Sequence, residues 1–235
     1  MKKNSTNPII AIDGHSSTGK SSYAKMLAKE LNWKHIDTGA MYRAVTLYGI
    51  QNFPEGKYID NQALVSHLSD IHIDFIYNPE TQNNDTLMNG ENVESEIRGF
   101  KVSELVSLVA KIPEVRNFLV KQQREIGKKG GVVMDGRDIG TVVFPCADLK
   151  LFITASIDER AKRRFLDFQQ QNKTISLEEI KENLKQRDYI DQNREVSPLT
   201  QSPDAILIDN SHLNKQETYQ KILAITKEKF GNILP

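Results

Sequence analysis

The sequence predicts a three-layer α/β fold, a parallel sheet covered by helices on both faces, carrying a small antiparallel insert. Three observations carry this expectation. Short apolar runs rich in β-branched residues alternate with stretches of helical period along most of the chain. The first run passes straight into a Gly/Ser-rich loop, as a buried parallel strand does. Between about residues 62 and 98 the apolar period shortens to two, which suits half-buried strands.

Taken in order, residues 8–12 form the first strand and 14–19 the loop. Lys20–Leu31 follows as a helix with Tyr23, Met26, Leu27 and Leu31 on one side. His35-Ile36 is a weak strand ending at Asp37, and Gly39–Gln51 is helical through Met41, Val45 and Tyr48. Within the insert, residues 71–77 alternate strictly. Asn78-Pro79 and Gln82-Asn83-Asn84-Asp85 read as turns. Thr86-Leu87-Met88 and Asn92-Val93 are further short strands split by Asn89-Gly90, while His72 and His35 read as strand residues rather than ligands. Helices are expected at Lys101–Ala110 and at Pro113–Lys128, where Pro113 suits a first helical turn. Strands resume at 131–134 and 149–153. Ser156 with Glu159 and Ser176 with Glu179 open helices as capping boxes. Residues 205–208 form the last strand, and Asn214 with Glu217 caps a final helix to Phe230.

Length and charge narrow the function classes. A chain of 235 residues is one domain, or one with a sizeable insertion. Lys plus Arg and Asp plus Glu each number 31, so the net charge is zero and bulk nucleic-acid binding is disfavoured. The single cysteine, Cys146, excludes an internal disulfide and reads as a buried or loop residue. The apolar stretch from Pro8 is broken by Asp13, too short for a signal peptide or a membrane span. A soluble, cytoplasmic, monomeric protein is expected.

The loop carries the first chemistry. Gly14-His15-Ser16-Ser17-Thr18-Gly19-Lys20-Ser21 fits G-x-x-x-x-G-K-[ST]. Phosphate oxygens need converging backbone N–H groups, and glycines permit the turns and the close approach. The following helix adds its positive end. Lys20 supplies a mobile cation and Ser21 a hydroxyl for Mg²⁺. Chance alone produces such a match in about 1% of chains this size. The flanking strand and helix are the context that confirms it, so the expected fold is that of a P-loop nucleoside triphosphatase. ATP-binding candidates are Gly14, His15, Ser16, Ser17, Thr18, Gly19, Lys20, Ser21 and Ser22, with His15 serving as a spacer. No Asn-Lys-x-Asp guanine-reading segment occurs, which weakens a GTPase, and the size suits a small-molecule kinase.

Three further clusters belong to an acceptor. Residues 37–43 and Asp135-Gly136-Arg137-Asp138 both follow strands, where ligands of doubly wound sheets bind. Asp135 resembles an acid near Mg²⁺, against the plainer reading of a turn-forming Asp before glycine. Arg187, Asp191 and Arg194 recur at helical spacing and share one face, so they could grip phosphate rather than merely decorate a solvated helix. Arg160, Arg163 and Arg164 lie on one segment. They read either as an exposed basic helix or as a lid over the transferring phosphate.

Together these segments resemble the bacterial cytidylate kinase family, within the nucleoside monophosphate kinases. The resemblance rests on residues 12–21, 37–43, Asn89-Gly90-Glu91-Asn92-Val93 with Glu96-Ile97-Arg98, residues 135–145, and Arg187-Asp188 through Ser197-Pro198-Leu199, in the family's order along nearly the whole chain. It implies a five-stranded parallel core, an acceptor-side insert and a helical lid. On that pattern residues 1–61 and 99–235 form the kinase core, with a lid at about 156–175, and residues 62–98 belong to the insert. It implies transfer of the ATP γ-phosphoryl group to CMP or dCMP with Mg²⁺. Thr38 and Arg43 would lie near the CMP sugar and phosphate, Ser107 and Arg116 at cytosine, and Arg137, Asp138, Arg187, Asp191 and Arg194 around the acceptor. Lys20, Arg160, Arg164 and Arg187 would act on the transferred group, and Ser21 and Asp135 on the metal. The chain departs from the family pattern at His15, where Pro is frequent, at Ser22, where Thr is frequent, and at Cys146, where Asp is frequent. A phosphate acceptor is already ionised at neutral pH, so no general base is required. A related kinase with a non-nucleotide acceptor such as shikimate, or a nucleotide-binding regulator without turnover, remain open alternatives.

Overall fold

A computed structural model describes residues 7–80, 83–170 and 175–231. The chain divides into two compact units, Met1–Ile36 with Gly127–Pro235, and Asp37–Ile126. The second takes in residues 37–61 and 99–126 as well as the 62–98 segment.

In the first unit, β1 (Ile9–Gly14) leads through the glycine loop into α1 (Lys20–Leu31) and β2 (Lys34–Asp37). After the excursion into the second unit come β8 (Val132–Gly136), β9 (Leu149–Thr154), α7 (Ile157–Gln170), α8 (Leu177–Asn193), β10 (Ile206–Asp209) and α9 (Lys215–Phe230). The five strands lie in the order β10-β9-β1-β8-β2, with β1 at the centre and parallel to both neighbours. Chain order departs from β1 in both directions, so the glycine loop opens where the winding reverses. Ile10 and Ile12, with Val133, Leu151, Ile153 and Ile208, pack under Ala24 and Leu27 of α1 and Ile222 of α9. Ala11 and Met134, pointing the other way, are equally buried, which is why these strands read as continuous apolar runs.

The second unit contains α2 (Thr38–Asn52), a short hairpin of β3 (Pro54–Glu55) and β4 (Tyr58–Ile59), and α3 (Asn61–Ser66). An antiparallel sheet of β5 (Ile73–Asn78), β6 (Asn83–Met88) and β7 (Glu91–Asn92) follows, then α4 (Glu94–Ile97), α5 (Phe100–Val109) and α6 (Pro113–Gly127).

Several expectations are corrected here. Asn83-Asn84-Asp85 is not a turn but the start of β6, its backbone paired with Tyr77 and Asn78; Gln82 lies outside the described residues. The strand wins over the turn because this backbone pairs with β5, and because Asp85 accepts from the Asn78 side chain of β5 and the Asn92 side chain of β7 at 2.8 and 2.9 Å, tying β6 to both neighbours. His72 precedes β5 rather than belonging to it. Of the expected lid, α7 ends at Gln170, and residues 171–174 lie outside the described residues. The Ser176 and Asn214 capping boxes form with both reciprocal bonds. Among the described residues no helix is long and apolar enough to cross a membrane.

Candidate active site

The glycine loop is built where β1 stops. Gly14 has φ 147°, and a Cβ there would stand 2.0 Å from the Ile153 carbonyl of β9, so only glycine allows the strands to part at this point. Gly19, at φ 86°, is the left-handed residue that turns the chain into α1. Between them the His15 carbonyl accepts from Thr18 Oγ1 and Lys20 Nζ, both at 3.1 Å. The Lys20 side chain therefore folds back along the loop and is largely buried.

The loop is braced from below by Asn210, which the sequence did not single out, and by Arg163, which it read differently. Asn210, fully buried after β10, donates from Nδ2 to the Thr18 carbonyl at 2.9 Å. Arg163 in turn holds Asn210 through its side-chain and backbone oxygens at 3.0 and 2.8 Å. Arg163 is thus a structural brace. Nor is α7 an exposed basic helix. Arg160 is 5% exposed. It pairs with Asp188 of α8 at 2.7 Å and donates to the Ala155 and Ser16 carbonyls. Arg164 stacks over the Phe168 ring at 4.4 Å.

Asp13 couples the loop to the segment after β8. Its two carboxylate oxygens accept from the Ile139 and Gly140 amides at 2.8 and 2.7 Å, clamping the turn that follows Asp138. Burial pushes this carboxyl up to about 7, against the two amides and Lys20, which favour its charge. Because the native pKa exceeds the ordinary value of 3.8, the native state binds the proton more tightly. Asp13 therefore contributes stability that is full below pH ~4 and is lost as pH rises through about 7, on the order of a few kcal/mol. Urea unfolding at pH 5 and pH 7.5 measures this. Asp13→Asn should flatten the difference, and an unchanged slope in the variant would contradict the assignment.

Asp135 is not a turn residue. It lies inside β8, 1% exposed, and accepts from Ser21 Oγ at 2.5 Å. Its other oxygen is 2.8 Å from His35 Nε2. His35 was read as a plain strand residue; its partner lies 100 positions away, and no local pattern reports such a pair.

The arginine cluster gathers at the same end of the first unit. Arg137 Nε donates to Asp191 Oδ2 at 2.9 Å, and Arg194 stands 3.9 Å from both Asp191 and Asp138. Arg187, Asp191 and Arg194 are 5%, 4% and 7% exposed, so they form no solvated face. One correction concerns their spacing. α8 ends at Asn193, and Arg194 is extended, at ψ 143°. It returns to Asp191 because Arg194 Nε bonds the Ser197 carbonyl and the Leu199 amide folds back on the Asp191 carbonyl, each at 2.7 Å. Burial and then Arg137 push the Arg187 guanidinium down to about 10. Burial alone would raise the Asp191 carboxyl, yet Arg137, Arg187 and Arg194 hold it below the usual carboxylate range. Arg187 Nε is buried with no hydrogen-bond partner among the described residues. The cluster carries more guanidinium than carboxylate and keeps an orphaned donor, which is the constitution of an anion site. It stands beside the loop: Gln192 of the same helix meets His15 at 3.1 Å, and Asp188 meets Arg160.

The second unit holds the other candidates. Asp37 caps α2 by accepting from Ala40 N, which places Thr38 in its first turn. Arg98 bridges Asp37 and Glu94 at 2.9 and 2.8 Å. Arg43 donates to the Ile97 carbonyl and to Ser103 Oγ of α5, and Ser107 lies one turn further along the same helix. Arg116 is 1% exposed, bonds the Ala110 carbonyl at 3.1 Å and lies over the Tyr42 ring. Cys146 is an exposed loop residue.

Comparison with known proteins agrees with this chemistry. The Cytidylate kinase family model matches residues 10–228. A cytidylate kinase of Parabacteroides distasonis is 57% identical over 210 residues, covering 89% of this chain and 92% of its own length. One from Bacteroides thetaiotaomicron is 51% identical, covering 96% and 97%. One from Flavobacterium johnsoniae is 50% identical, covering 93% and 96%. With a phosphate loop on the central strand, a buried guanidinium cluster beside it and a family match along nearly all of its length, the chain belongs to the cytidylate kinase family.

Proposed function

We propose that the protein transfers the γ-phosphoryl group of ATP to CMP or dCMP, giving ADP and CDP or dCDP. The observation that carries this reading is the group of half-buried Arg137 with buried Arg187 and Arg194 around the Asp191 carboxylate, next to a loop that ends in Lys20. In the transfer, an oxygen of the CMP phosphate attacks the γ-phosphorus, and the bond to the bridging β-phosphate oxygen breaks. Both reactants are anions, so the work falls on alignment and charge neutralisation. Lys20 and the loop amides hold the donor phosphates. Arg137, Arg187 and Arg194, with Asp138 and Asp191, hold the acceptor phosphate and sugar. Arg160, and Arg164 on the same helix, act on the transferred group and belong to a lid at about 156–175. Thr38 and Arg43 lie near the CMP sugar and phosphate, and Ser107 and Arg116 read cytosine.

The residues present fit a magnesium ion. Ser21 Oγ and Asp135 are hard oxygen donors, already adjacent and at the loop. When bound, the ion screens charge on the donor phosphates. The same reading makes the protein a cytoplasmic monomer that acts without nucleic acid or membrane.

An ADP-release assay over CMP, dCMP, UMP and shikimate tests the function. Turnover with CMP or dCMP far above that with UMP and shikimate supports it. Turnover with shikimate alone, or none with any acceptor, selects the two rival readings. Ser107→Ala should lower the CMP/UMP ratio of kcat/KM by about tenfold, since a site built for one base edge leaves groups unpaired with another. An unchanged ratio would remove Ser107 from the base site.

A further inference from the structure

His15 is the one loop side chain whose geometry points beyond spacing. Its Nε2 lies 3.1 Å from the Gln192 amide nitrogen. An amide nitrogen only donates, so Nε2 is the acceptor of that bond. Neutral His15 then carries its hydrogen on Nδ1. That atom is buried and has no hydrogen-bond partner among the described residues. The ring is held in place on its other side by an edge-to-face contact with Phe152 of β9, centroids 5.9 Å apart. A fixed, buried N–H without an acceptor is costly, and such a group in a native structure calls for an explanation, of which a bound ion or ligand is one.

The charges around the ring say which ligand. Arg160 of α7, Arg137 after β8 and Lys20 of α1 face it as cations, and Asp188 of α8 opposes them. Burial first, and then these cations, hold the imidazole below its ordinary pKa, so it stays neutral and keeps the single Nδ1 hydrogen. A neutral donor in a cationic setting at the phosphate loop is suited to an anionic oxygen.

We propose that His15 is a further phosphate contact of this site, donating its Nδ1 hydrogen to a phosphate oxygen of a bound nucleotide while Gln192 fixes its tautomer and ring. The inference rests on the nucleotide-binding reading above. It assigns Gln192, an exposed residue on α8, a positioning role toward the loop.

Histidine-labelled ¹H–¹⁵N spectra of the unaltered protein test it without any variant. The free protein should show His15 as the Nδ1-protonated tautomer. Addition of ATP or of CMP, in separate samples, should move the Nδ1 resonance and slow exchange of its hydrogen in at least one of them. Calorimetry then compares variants. His15→Gln and His15→Leu, which place no donor near the Nδ1 position, should weaken the responding nucleotide about tenfold. His15→Asn, whose amide nitrogen falls near that position, should hold parent affinity. An Nε2-protonated tautomer, or binding of both nucleotides with no response at Nδ1, would overturn the inference and leave the proposed function standing. Failure of the unaltered protein to bind either nucleotide would overturn both.

Discussion

A Lys20→Met variant turns over CMP about 10²–10³-fold more slowly than the parent, with little loss of stability. The reason lies in what Lys20 does before substrate arrives. Its Nζ rests on the His15 carbonyl at 3.1 Å, a bond from a flexible side chain to its own loop. Methionine fills similar volume, and the loop retains Thr18 on the same carbonyl and Asn210 beneath it. Loss of the His15 bond itself costs about 1 kcal/mol, the usual worth of one hydrogen bond, which is small beside the loss of turnover. Turnover is different, because the ammonium is needed where charge shifts between phosphates. ADP release at saturating ATP and CMP, with urea unfolding alongside, separates the two effects. Near-parent turnover would remove Lys20 from the chemistry, and a large stability loss would reassign it to the fold.

Asp191→Ala has the second large effect, and it acts on both folding and catalysis. The Asp191 carboxylate is the counter-charge of Arg137, Arg187 and Arg194. Without it three mostly buried guanidinium groups face one another, and breaking a buried pair of this kind costs about 3–5 kcal/mol. The kcat/KM for CMP should fall about 100-fold, since a lost charge-assisted contact of 2–3 kcal/mol has that size. The stability loss should shrink when CMP is added, because its phosphate supplies the missing negative charge. Denaturant midpoints with and without CMP, together with kinetics on CMP and dCMP, read this directly. Parent-like kinetics on both acceptors would place Asp191 outside the site. Asp191→Asn keeps the shape and serves where the alanine variant is too unstable to assay.

The two effects differ in kind because the two residues carry different information in the sequence. Lys20 belongs to a local pattern: strand, glycines, lysine and helix lie within a dozen residues, and each is required by the geometry of one turn. The capping residues Ser176 and Asn214 are equally local, and their helices begin where those residues stand. Asp191 was found by helical spacing with Arg187, a local rule that held. The same rule misplaced Arg194 on that helix, since the Ser197 carbonyl and Leu199 amide end it one residue earlier.

Contacts between distant segments left no such trace. The brace from Arg163 through Asn210 to Thr18 and the pair of His35 with Asp135 each join residues far apart in the chain. Arg163 read as part of an exposed basic helix or of a lid because its sequence neighbours are basic; only the position of β10 reveals that it holds a loop. The start of β6 was read as a turn from its asparagines, a preference overridden by backbone pairing with β5 and by Asp85, which accepts from Asn78 of β5 and Asn92 of β7.

Periodicity, capping and the glycine spacing are written in neighbouring residues, so the alternation of strands and helices, the glycine loop and the presence of an arginine-rich segment near residues 187–194 were decided by the chain alone. Burial and charge balance depend on which remote groups share a small volume. The folded arrangement alone therefore decided that Arg160 is paired and buried, that Arg163 is structural, that Asp13 carries a raised pKa, and that His15 Nδ1 has no hydrogen-bond partner among the described residues.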